Sequence, residues 1–176
     1  YTLYSILPTL VEIGLVLGIL FVKYDIGYVI ITLISLVTYI VFTIKVSNWR
    51  IDIRRAVNEN DSAANTRAID SLLNYETVKY FNNESWEAHR YDEQLIKWEE
   101  AATRSQTTLA FLNLGQQAII ALGVTAMMWR AASGVVDGHM TIGDLVLVNA
   151  FLIQLYAPLN FLGIVYREIR QALTDI

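Results

Sequence analysis

Tyr39, Thr43, Arg50 and Arg54 recur at roughly helical intervals, so on a helix they share one face. Arg50 and Arg54 stand one turn apart. Two guanidinium groups on one face suit a carboxylate ligand, because each presents paired donors in a planar fork and stays charged at any physiological pH. Position alone favours a plainer role, as anchors to lipid phosphates or partners of nearby acids such as Asp52 and Glu59. Asn113 and Gln116, also one turn apart, lie in apolar sequence, where buried amides need partners or a water-lined cavity. Further on, Tyr156, Asn160, Gly163 and Arg167 fall at intervals of four, three and four residues, a polar stripe with a gap at Gly163 that leaves room for a ligand near the backbone. The alternatives are helix-to-helix bonding for the amides, close helix packing at Gly163 and an interfacial anchor at Arg167. A charged group set against lipid costs about 2 to 3 kcal/mol or more, which makes each such residue a functional candidate.

The elements that must carry these residues are long helices. Hydrophobic residues make up 55% of the 176 and charged ones 17%, with a mean hydropathy of +0.40, high for a soluble domain. Four apolar blocks are long enough to span a bilayer, at about 3–22, 26–46, 107–129 and 142–166. A soluble bundle would show polar faces at helical spacing, yet Ile26 to Phe42 holds no charged residue. The positive-inside rule makes the middle of the chain, about 47–106, cytoplasmic, because nine of the 13 Lys and Arg lie between Lys45 and Arg104. No glycine or proline occurs between Gly27 and Gly115. A helix from Ile26 to Leu73 then runs for roughly 70 Å, against a hydrocarbon core of ~30 Å, so about 40 Å of it projects into water. The first block has no basic leader and passes straight into a second span, unlike a cleavable signal peptide, and the start suggests a piece of a larger protein.

Within the cytoplasmic segment, Asn74 is expected to cap a short transverse helix over Tyr75 to Phe81, and Asn82, Asn83 and Ser85 to open a second long helix from Trp86 onward. The transverse piece carries Tyr75, Val78, Tyr80 and Phe81. That aromatic surface reads either as a knob that docks into a partner domain or as local packing between the two long helices.

Several classes of chemistry are excluded or disfavoured. The net charge of −4 belongs to a solvated middle with mixed signs and argues against a nucleic-acid partner. Without cysteine the chain offers no disulfide, thiolate metal site or thiol nucleophile, and the isolated His89 and His139 make no metal cluster. Glu12 is expected to pair with a polar group outside this sequence, Pro158 to kink the last helix, and Asp25, Asp137 and Asp144 to sit in solvated loops or at a helix start. The acids from Glu84 to Glu100 make a wet helix face.

The run Arg67-Ala-Ile-Asp-Ser-Leu-Leu-Asn-Tyr-Glu-Thr-Val-Lys-Tyr-Phe-Asn-Asn-Glu84 resembles the second intracellular loop of ABC exporters of the mitochondrial class and their bacterial relatives, the glutathione-linked heavy-metal exporters. Gly143-Asp-Leu-Val-Leu-Val-Asn149, with the run from Pro158 to Gln171, is similar to the last span of that family. The resemblance covers most of the chain and implies an all-α membrane protein, spans three to six of a type IV ABC exporter transmembrane domain, with long helices extending into the cytoplasm. It implies a homodimeric half-transporter whose nucleotide-binding domain follows the last span, holds ATP and Mg, and is contacted in trans by Tyr75, Glu76, Val78, Lys79, Tyr80 and Phe81. No glycine-rich loop ahead of Lys and Ser or Thr is present, so no catalytic site, metal site or cofactor is expected in this segment itself.

Transporters of this class bind glutathione or its conjugates in an inward-open cavity. The resemblance carries that role to Tyr39, Arg50, Arg54, Asn113, Gln116, Gly163 and Arg167. The implied work is export of glutathione-derived or glutathione–metal conjugates by alternating access, tied to heavy-metal detoxification or iron–sulfur assembly, in a bacterial inner membrane first and a mitochondrial inner membrane second. The alternatives are an exporter of lipid or peptide cargo, with an apolar cavity indifferent to Arg50 and Arg54, and a membrane scaffold or receptor that transports nothing.

Overall fold

The computed structural model describes residues 2–151, 153 and 154. Its elements are α1 (Thr2–Lys23), α2 (Ile26–Leu73), α3 (Tyr75–Tyr80) and α4 (Glu84–Val136), followed by α5 (Ile142–Phe151). No strand occurs among the described residues. Two of these helices are unusually long, α2 with 48 residues and α4 with 53. The unbroken run without glycine or proline explains α2. In α4 the expected soluble helix and the third apolar block merge, because Gly115 lies inside regular helix and costs only about 1 kcal/mol there. The helix also continues to Val136, so the last connection is shorter than the sequence pattern suggested.

The chain folds as two compact units, one of residues 1–44 and 114–176 and one of residues 45–113. In the first, Val16 and Leu20 of α1, Tyr28 of α2, Met127 and Ala131 of α4 and Val148 of α5 form one buried cluster. Leu36 and Tyr39 form a second, packed against Ile13, Ile119 and Ile120. Outside these seams the apolar surface faces outward. Ile30, Leu33, Ile34, Val37, Ile40 and Val41 are all exposed, and only 22% of the most apolar stretch of α2 and 17% of that of α4 is buried. A soluble core helix would bury most of such a stretch, whereas a lipid-facing helix leaves it outside.

In the second unit α2 and α4 run antiparallel and are joined by polar contacts. Ser71 Oγ donates to Glu87 at 2.8 Å, and Arg90, ion-paired with Glu87 at 3.3 Å, stacks its guanidinium over the Trp86 ring at 4.2 Å. The tip differs from the expected capping. Asn74 makes no side-chain cap bond; its amide nitrogen donates back to the Asp70 carbonyl at 2.9 Å, closing the end of α2 rather than opening α3. Asn82 takes φ 55°, a left-handed conformation that asparagine tolerates, and this turn separates α3 from α4.

Candidate functional site

Two of the residues expected to face cargo, Gln116 and Arg50, are each drawn into a buried polar contact between α2 and α4. In the first unit Tyr39 is 2% exposed, and Gln116 Nε2 donates to Thr43 Oγ1 at 3.0 Å, both residues buried. One residue before Gln116 stands Gly115, and a β-carbon there would run into the Phe42 ring. Glycine at 115 is therefore what lets Phe42 lie against α4 beside the Thr43–Gln116 bond.

In the second unit Arg50 is 6% exposed. Its Nε donates to Thr108 Oγ1 at 3.2 Å and its Nη2 to the Ser105 carbonyl at 3.3 Å, while Thr108 Oγ1 itself donates to Ser105 O at 2.9 Å. A guanidinium presents forked donors that suit a carboxylate and is charged at any physiological pH. Arg54, one turn further along α2, is exposed, as is Asn113. The structure thus separates two pairs that helical spacing alone grouped together: Arg50 is packed and Arg54 solvated, Gln116 packed and Asn113 open. Gly163 and Arg167, with Tyr156, Asn160 and Pro158, lie outside the described residues.

Ser47 escaped the sequence reading. It falls between Thr43 and Arg50 on the same helix, is 6% exposed, and its hydroxyl has no hydrogen-bond partner among the described residues. Thr108 was missed as well. A small hydroxyl residue at helical spacing from an interfacial arginine is the signal that was available for both.

At the other end of α2 the short helix α3 stands clear. Helix α3 has no buried residue, and Tyr75, Tyr80 and Phe81 are exposed, with the Tyr80 and Phe81 rings in edge contact at 5.9 Å. Glu76 and Lys79 are exposed and Val78 half-buried. Packing between the long helices does not account for these aromatics. Lys79 Nζ pairs with Glu84 at 2.5 Å. The hydrogen bond between them raises the Lys79 pKa and lowers that of Glu84.

Glu12, expected to pair outside this sequence, and Asp25 and Asp144, expected in solvated loops or at a helix start, each have a partner in this chain. Glu12 accepts from Gln154 Nε2 at 2.8 Å, a partner within this chain. Asp144 pairs with Lys23 at 3.1 Å and accepts from the Tyr24 hydroxyl at 3.0 Å. It also accepts from the Thr141 backbone N–H at 3.1 Å while Thr141 Oγ1 accepts from the Asp144 N–H at 3.2 Å, a capping box that opens α5. Asp25 pairs with Arg130, whose guanidinium occupies the place a β-carbon on Gly27 would take. Two helix connections are thereby clasped in one unit, and the spacing Thr141-x-x-Asp144 was the readable trace of it.

The pattern of the ABC transporter transmembrane region matches residues 1–159. The chain belongs to this family. It is part of an ABC exporter transmembrane region, membrane-embedded and helical with no strand among the described residues. It is 52% identical over 173 residues to the "Iron-sulfur clusters transporter ABCB7, mitochondrial" of Homo sapiens, which covers 98% of this chain and 23% of that protein. It is 48% identical over 173 residues to the "Iron-sulfur clusters transporter atm1, mitochondrial" of Neurospora crassa, with 98% and 24% covered. Among solved structures, a bacterial Atm1-family ABC exporter with ATP bound superposes with a TM-score of 0.88 at 40% identity, over 99% of this chain and 31% of that one. The chain spans about a quarter of the length of the curated relatives it matches.

Proposed function

We propose that this transmembrane domain forms the cargo pathway of an ATP-driven half-transporter that exports glutathione-derived conjugates, working as a homodimer and serving iron–sulfur assembly or metal detoxification. The buried Arg50, which donates to Thr108 and Ser105, is the observation that carries the reading. Glutathione offers two carboxylates, an amine and two amide units. Arg50 and Arg54 take the carboxylates, with Arg167 as a further cation; Gln116 and Asn113 read the peptide-like middle; Tyr39 and Gly163 shape the wall. Relatives named as iron–sulfur cluster transporters support the link to sulfur chemistry.

ATP and Mg bind to a nucleotide-binding domain, which docks on the exposed face of Tyr75, Tyr80 and Phe81 together with Glu76, Val78 and Lys79, in trans across the dimer. Closure of those domains moves α2 and α4 and switches the pathway between its two accesses. The named relatives are mitochondrial, which weighs toward the mitochondrial inner membrane over the bacterial one expected from the sequence, while the bacterial Atm1-family structure supports the latter.

The test is ATP-dependent uptake of radiolabelled oxidised glutathione into inside-out vesicles carrying the full-length transporter. Uptake that requires ATP and is lost in an Arg50→Glu/Arg54→Glu variant supports the reading. ATP hydrolysis without uptake contradicts it.

A further inference from the structure

Away from the residues assigned to cargo, the second unit holds a groove of about 600 Å³ between α2 and α4, with Trp49 at one end and Asn60 at the other. Its floor is Ile53, Ala56 and Ala101, where the two short alanine side chains leave space unfilled. Its charged walls are Asp52 on α2 and Lys97, Glu100 and Arg104 on α4. These are residues at i, i+3 and i+7 of one α4 face, turned toward a matching face of α2. The antiparallel register set by Arg50 with Ser105 and Thr108, and by Ser71 with Glu87, brings Asp52 level with the Arg104 end and Asn60 level with Lys97.

Two cations and two carboxylates thus border one groove, yet none of the four pairs with another described side chain. A ligand that bridges them must carry both signs. Arg104 lies nearer the apolar block of α4, and Glu100 one turn deeper, about 6 Å along the axis. That offset fits an oxyanion and an ammonium joined by a two-carbon link. Trp49, half exposed and within one turn of the end of the apolar block of α2, has the amphipathic ring that settles at a membrane interface.

We propose that this groove binds the headgroup of a phosphoethanolamine lipid from the cytoplasmic leaflet. Its phosphate sits on the Arg104 guanidinium and its primary ammonium lies between Asp52 and Glu100. A phosphate on Arg is a strong charge-assisted contact, while two carboxylates accept from an ammonium carrying three N–H donors and not from a trimethylated one. The groove therefore distinguishes phosphatidylethanolamine from phosphatidylcholine. It does so without the cargo-assigned residues, so the proposal stands or falls separately from the choice of cargo.

The test is native mass spectrometry of the full-length transporter released from nanodiscs of equal phosphatidylethanolamine and phosphatidylcholine. The wild type should retain phosphatidylethanolamine in preference. Asp52→Asn/Glu100→Gln should retain as much lipid with the preference lost, and Arg104→Gln should lose the retained lipid of both kinds. These side chains are solvent-exposed, so the variants should fold, which a thermal melt verifies. No preference in the wild type, or an undiminished one in the Asp52→Asn/Glu100→Gln variant, overturns the proposal.

Discussion

Gln116 donates its side-chain amide to the hydroxyl of Thr43 at 3.0 Å, and both residues are buried. The bond ties α4 to α2 in apolar surroundings, where either group left alone carries its desolvation cost. Gln116→Ala is expected to lower stability by about 1–3 kcal/mol. With Thr43→Val in the same chain the loss should be smaller than the sum of the single losses, because the second change removes the stranded partner. Thermal melts of the four proteins in detergent measure this; strictly additive losses would show that the two groups do not depend on each other.

Gly115 is fixed by its neighbour. Gly115→Ala places a methyl group against the Phe42 ring, and overpacking of this kind costs about 1–3 kcal/mol. Phe42→Leu added to it should recover part of the loss. A Gly115→Ala protein with unchanged melting temperature would mean that Phe42 moves aside freely.

Asp144 serves two structures at once, the capping box of α5 and the ion pair with Lys23. Asp144→Ala should therefore lower the melting temperature more than Lys23→Ala, and raised salt should narrow the gap between wild type and Lys23→Ala. Equal effects of the two substitutions would deny the capping role.

Between α3 and α4 the Lys79–Glu84 pair predicts a pH window. Glu84 has its pKa lowered in the fold, so its contribution is present above the ordinary carboxylate value and lost as pH falls through the lowered one. Lys79 has its pKa raised, so its contribution is present below the ordinary lysine value and lost as pH rises through the raised one. Amide exchange at Phe81 and Asn82 should be faster in Glu84→Gln than in wild type across that window, and the two should converge in strong acid. A constant difference at all pH values would exclude the pair as its source.

The extent of α2 was legible because nothing between Gly27 and Leu73 breaks a helix, and the apolar blocks were legible because lipid imposes a length and a polarity that few other environments do. The packing at Gly115 was not legible, since Phe42, 73 residues earlier, is what occupies the space it leaves. Helical spacing placed Arg50 beside Arg54 and Asn113 beside Gln116. It could not show that one member of each pair is buried, because burial depends on which face meets the other helix. Asn74 had the right side chain for a cap, but the Asp70 carbonyl competed for it. Asp144 and Glu12 found partners 121 and 142 residues away in sequence, and no local pattern encodes those choices.

ATPase activity of the full-length dimer in lipid, titrated with oxidised glutathione, tests most directly whether Arg50 and Arg54 form a cargo site. The wild type should be stimulated, and Arg54→Ala, whose side chain is exposed and outside the packed seam, should lose the stimulation while keeping basal hydrolysis; Arg50→Ala should do the same with lower stability. Stimulation of equal size in wild type and both variants would contradict the account.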